Sequence, residues 1–135
     1  MVSFVNRMEH MSAKNEASVR HIAEFELEIV GAGEGTSRSV LIGDEQAPHF
    51  AMRRFVMEPG GGMPNHTNTV EHEQYVVSGS AEIGIADQVH QVKQGDIVFI
   101  PATVPHWYKA GPEGFEFLCL VPNLPDEISL VDGGC

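Results

Sequence analysis

The chain has 135 residues, enough for one domain that buries a real core without disulfide staples. With 42% apolar and 20% charged residues it is a globular chain, not a disordered one. A net charge of −11, with only eight Lys and Arg, rules against nucleic acid and against anionic membrane surfaces as partners. Cys119 and Cys135 are the two cysteines, one in an apolar run and one at the last residue, so no disulfide framework is expected. The start lacks the pattern of a signal peptide, and no apolar run of about 18 residues occurs, so the expected location is cytoplasmic. Asn65-His66-Thr67 matches a glycosylation sequon, which without a secretion signal is taken as chance.

Residues 1–20 (MVSFVNRMEHMSAKNEASVR) are polar and Met-rich, with Met8 and Met11 as alternative starts. They are expected to form an N-terminal arm, either frayed or paired with a neighbouring subunit. FELEIV (25–30) alternates apolar and acidic residues, the period of a half-buried strand. GAGEG (31–35) reads as a turn, RSVLIG (38–43) as a strand and GDEQAP (43–48) as a loop. HFAMRRFVMEPGGG (49–62) predicts a longer strand ended by Pro59 and three glycines. Further strands are expected at EQYVVSG (73–79), SAEIGIA (80–86), QVHQV (88–92), DIVFIP (96–101), HWYKA (106–110) and FEFLCLVP (115–122). VPNLPDEISLVDGGC (121–135) reads as a stretch that Pro122 and Pro125 keep irregular. Short strands at this spacing, with no helical stripe and no internal repeat, predict an all-β sandwich or barrel. The domain is expected over 21–122, with a C-terminal tail over 123–135.

One stretch carries chemistry: HTNTVEHEQYVVSG (66–79). Gly60 precedes His66 by five intervening residues, Asn68 follows two positions later, and His72 precedes Gly79 by six. Gly95, Pro101 and His106 follow at regular spacing. This pattern resembles the two motifs of the cupin superfamily. Asn68 stands where the first motif has its second histidine, and His72 where it has glutamate. Thr103 and Ala110 replace a glycine and an asparagine of the second motif. APHFAMRRFVMEPGG (47–61), VEHEQYVVSG (70–79) and FEFLCLVP (115–122) are similar to the small single-domain cupins that hold manganese with four histidines. The resemblance implies a conical β-barrel of jelly-roll type (a double-stranded β-helix), usually a homodimer. It implies His66, His72 and His106 as ligands of one divalent metal per chain, with Asn68 in the fourth position.

The residues support that reading independently. Side chains alternate along a strand, so His66 and Asn68 share a face, as do His72, Gln74 and Val76, leaving Glu73 and Tyr75 outside. Imidazole suits Mn, Fe, Co, Ni, Cu and Zn alike; it is the resemblance that favours Mn or Fe. Asn68 either ligates through its amide oxygen or hydrogen-bonds a metal-bound water. Tyr108 shares the register of His106 and is an acid–base candidate, and Gln74 and Arg53 also face inward by alternation. The plain alternative for each is barrel filling. Cys119 reads first as a buried small hydrophobe. In the resembling branch its strand lines the barrel, which adds it to the catalytic candidates. His10, His21, His49 and His90 read as surface residues.

Three function classes fit. The favoured one is a metal-dependent enzyme on a small organic molecule, dioxygenase-like, with open coordination positions. Its close rival is an isomerase, lyase or hydrolase using the metal as a Lewis acid. A stand-alone small-molecule-binding cupin and a metal-free structural role are the others.

Overall fold

The computed structural model describes residues 14–131. Met8, Met11, His10, Cys135 and most of the proposed N-terminal arm lie outside the described residues. The described end of that arm, from Lys14 to Arg20, has no regular structure. It is tied to the Asp44–Gln46 turn by Asn15 N–H donating to the Gln46 carbonyl at 2.6 Å and Lys14 Nζ to the Asp44 carbonyl at 2.9 Å.

Among the described residues a single 3-10 turn, Ile22–Glu24, is capped reciprocally by His21 and Glu24. Everything else regular is strand: β1 (Glu28–Ile29), β2 (Glu34–Ile42), β3 (Phe50–Asn68), β4 (His72–Ile85), β5 (Gln88–Lys93), β6 (Ile97–Ile100), β7 (His106–Pro122) and β8 (Ile128–Leu130). Neighbours pair antiparallel in the order β1-β2-β3-β7-β4-β5, with β6 on β4 and β8 on β3. The all-β, jelly-roll architecture expected from the sequence is the one observed. No helix among the described residues is long and apolar enough to cross a membrane.

Three expected breaks are absent. β3 runs through Pro59 and the three glycines, β4 fuses EQYVVSG with SAEIGIA, and β7 fuses HWYKA with FEFLCLVP. Each junction is a register shift: Met57 to Gly62 in β3, Val76 to Ala81 in β4, and the facing stretch of β7. A bulge inserts residues, bends the strand and lets it continue. It also reverses which parity of residue faces inward. In β4, His72, Gln74 and Val76 are buried before the bulge, and Ala81 and Ile83 after it. In β7 the buried set changes from His106, Tyr108 and Ala110 to Phe115, Phe117, Cys119 and Val121. The three long strands therefore supply inward side chains to both halves of the barrel.

Gly79 makes the β4 bulge feasible. Its φ is +78°, and a Cβ there would overlap the Gly114 carbonyl of β7. Both the backbone conformation and the close approach exclude a side chain. Gly79→Ala is expected to lower stability by more than about 1 kcal/mol in a urea melt.

The C-terminal stretch also differs from expectation. β7 ends at Pro122, as the predicted strand FEFLCLVP does, but the segment after it forms β8, which pairs Ile128 with Asn68, Ser129 with Thr67 and Leu130 with His66. Pro125 lies between the two strands, so its missing N–H interrupts neither ladder.

Candidate metal centre

The inward faces of β3, β4 and β7 meet around a cavity of about 600 Å³, its open mouth included. His66 and Asn68 come from the end of β3, His72 and Gln74 from the start of β4, and His106 and Tyr108 from the start of β7. All six are buried and all line the cavity. His106 is the hub: its ring centroid lies 4.2 Å from that of His66, 5.6 Å from that of His72 and 5.8 Å from that of Tyr108. The adjacency follows from pairing, since His66 sits opposite His106 across β3 and β7. The structure thus brings every candidate site residue named from the sequence into one cavity, Cys119 included. His21, His49 and His90 are exposed.

The outer nitrogen of each imidazole is engaged. His66 Nδ1 is 2.8 Å from the Pro64 carbonyl and His106 Nδ1 is 3.0 Å from the Val104 carbonyl. A carbonyl only accepts, so these Nδ1 atoms carry the proton and Nε2 keeps a free lone pair. His72 Nδ1 lies 3.1 Å from Cys119 Sγ and 3.4 Å from Arg53 Nη2, while its Nε2 is buried with no partner. Burial, then the charge of Arg53, pulls the His72 pKa down to about 3. Burial also takes His106 down to about 4, against the Val104 carbonyl, which raises it. Both are neutral at physiological pH, the state a metal ligand needs.

Asn68 is oriented by a residue that its sequence surroundings do not reveal. Its Nδ2 donates to Asp126 Oδ2 at 3.1 Å, and Asp126 Oδ1 accepts from the Thr69 backbone N–H at 3.0 Å. An ionised carboxylate accepts only, which fixes the amide with nitrogen outward. Asn68 Oδ1 is left buried without a partner. Gln74 Nε2 donates to Tyr108 Oη at 2.7 Å and to Cys119 Sγ at 3.6 Å. Burial pushes the Tyr108 phenol well above its ordinary pKa, so it stays protonated. It likewise raises the Cys119 thiol, against the lowering influence of Arg53.

Among the described residues, no three His, Cys, Asp or Glu side chains stand preset around one metal position. The donor chemistry nevertheless fits a divalent transition metal. Neutral imidazoles with braced outer nitrogens are the usual ligand form, and the unpartnered His72 Nε2 and Asn68 Oδ1 are buried donor atoms that otherwise cost free energy.

Residues 53–121 match the family described as Cupin domain. No curated protein sequence matches the chain. Among solved structures, the polyketide cyclase RemF from Streptomyces resistomycificus is 29% identical, with a TM-score of 0.79 over 86% of each chain. A cupin 2 domain-containing protein from Halorhodospira halophila is 32% identical, with a TM-score of 0.68 over 73% of this chain and 72% of its own. The DMSP lyase DddQ from Ruegeria pomeroyi shares the fold at 22% identity and a TM-score of 0.70, covering 81% of this chain and 62% of its own. By the matched segment, the 32% identity to a solved cupin 2 domain-containing protein and the jelly-roll architecture, the chain belongs to the cupin domain family.

Proposed function

We propose that the chain is a metal-dependent enzyme performing redox-neutral acid–base chemistry on a carbonyl-rich, polyketide-like molecule. The observation that carries this is the phenol of Tyr108, held protonated by burial beside three imidazoles in one cavity. The similarity to a polyketide cyclase over 86% of the chain supports the substrate class.

His66, His72 and His106 would hold the metal through Nε2, with Asn68 Oδ1 as a fourth donor. A divalent ion there supplies Lewis-acid polarisation of a carbonyl oxygen. Gln74 occupies an acceptor site on Tyr108 Oη, leaving the O–H free to donate to an oxygen that gains negative charge. Phe55, Phe117, Met57 and Met63 exclude water from the apolar part of the substrate. Asp126 acts on the site by holding the Asn68 amide. Asp126→Ala is expected to weaken metal binding about tenfold, as loss of an outer hydrogen bond commonly does, read by competition with a chelator.

The test is turnover of a linear poly-β-ketone thioester by zinc-loaded protein without oxygen. Cyclisation takes a proton from an α-carbon, forms a C–C bond to a carbonyl carbon and protonates its oxygen, so product mass equals substrate mass, less one water if the alcohol dehydrates. The oxygenase reading is second, favoured by a donor set of three imidazoles and one neutral amide. Turnover only with iron and dioxygen, with oxygen mass gained, would establish it instead. Stoichiometric metal with no turnover of any carbonyl probe would point to a binding cupin.

A further inference from the structure

The chain is strongly acidic, yet its cavity contains no Asp or Glu and two arginines. Of the four arginines among the described residues, Arg20 pairs with Glu24 and Arg54 with Glu116. Arg38 and Arg53, the two lining the cavity, pair with no carboxylate among the described residues. Glu28 lies opposite Arg38 across β1 and β2 but forms no ion pair with it.

Arg53 is the more telling. Its Nη2 donates to Cys119 Sγ at 3.4 Å, and its guanidinium carbon lies 5.3 Å from the Phe55 ring centroid. Its Nε is buried with no partner. A guanidinium N–H withdrawn from water and left unpaired is costly, so a site that retains one has an acceptor still to come. Across β2 and β3, Arg38 faces Phe55 and Val40 faces Arg53. Opposed residues share a sheet face, so the two guanidinium groups stand diagonally on the cavity side. Phe55 stacks on Phe117 with centroids 5.0 Å apart, giving an apolar wall beside the charge.

We propose that Arg53, with Arg38 beside it, binds the carboxylate of an apolar organic acid entering the cavity. This rests on the cavity being the substrate site, and it adds a charge requirement that a carbonyl-rich substrate alone does not impose. The planar fork of arginine matches a carboxylate in shape and charge. The aromatic and methionine wall takes the remainder of the molecule.

The probes are benzoate and benzamide, the same ring with a charged or a neutral head, titrated into chelator-stripped and metal-reconstituted protein and followed by NMR shifts. In the stripped protein, benzoate is expected to bind at least about tenfold more tightly than benzamide, the scale of one charge-assisted hydrogen bond. Arg53→Gln should abolish that preference and Arg38→Gln should reduce it about threefold, the smaller share expected of a more solvent-screened guanidinium, both with benzamide affinity kept. Arg38 touches none of the proposed ligands, so R38Q and the wild-type ratio serve if R53Q fails to fold. Equal binding of the two probes, or no binding, in the stripped wild type overturns the proposal. So does a preference that survives both substitutions, or one that arises only after metal is restored, which would place the anion on the metal. A preference in the stripped protein that never takes up metal supports the arginine site while removing the metal-dependent reading.

Discussion

His72→Ala is expected to abolish the divalent-metal binding proposed for this cavity while leaving the protein folded. His72 is 5% exposed, its Nε2 has no partner, and its Nδ1 lies 3.1 Å from Cys119 Sγ, which can accept the Nδ1 proton and leave the Nε2 lone pair free. The side chain is therefore held in place without any contact that uses its inner lone pair. Loss of an outer hydrogen bond commonly costs 10–100-fold in metal affinity, so loss of a ligand should cost more than about 100-fold. In the metal-free state the packing lost is offset by removal of an unpaired buried nitrogen, so stability should move by no more than about 1 kcal/mol. Elemental analysis after desalting, with a thermal melt of the same samples, checks both parts. Metal retained at wild-type stoichiometry would remove His72 from the ligand set. Asn68→His, which restores the residue type of the four-histidine branch, should bind metal more tightly if Oδ1 is a weak donor at that position.

Phe117→Ala is expected to give a large loss of stability, about 3–5 kcal/mol by guanidinium denaturation. Phe117 is 2% exposed. It stacks on Phe55 at 5.0 Å and 8° and on Tyr108 at 5.3 Å and 10°, and it meets Phe115 at 5.1 Å and 38°. Truncation removes the central ring of that array, and the neighbours on rigid strands can close only part of the void. Against a typical total of about 5–15 kcal/mol, such a loss is a substantial fraction of the fold. Tyr108 loses its backing in the same step, so the proposed turnover should fall even where the variant stays folded. An unchanged denaturation midpoint would show that the barrel collapses around the gap.

The strand character of the chain and the inward register of β4 were legible because alternation is local: His72, Gln74 and Val76 inward, Glu73 and Tyr75 outward, can be read from five residues. The joins within β3, β4 and β7 were not. A glycine at a bulge looks the same in sequence as a glycine at a turn, and Gly79 ends no strand. The parity change from His106, Tyr108 and Ala110 to Phe115, Phe117 and Cys119 was a usable signal, since an odd inward set following an even one marks an inserted residue. Asp126 was illegible for a different reason. It meets Asn68 across 58 residues of chain, through a segment whose prolines disguise β8. Arg38 lay in a predicted strand without a motif, and only its pairing beside Val40 and Arg53 shows which way it faces.

That late strand bears on how the protein is made. Residues 126–130 emerge from the ribosome long after His66, His72 and His106 have been synthesised, yet Asp126 sets the Asn68 amide and β8 completes the edge beside His66. Domains fold as units during synthesis, and contacts this distant in sequence form late and slowly. A nascent chain stalled before residue 126 would display its imidazoles beside an unzipped β3 edge and an amide free to turn. On the proposed metal-binding reading, a fixed Asn68 amide is therefore acquired only after residue 126 has been made and has docked.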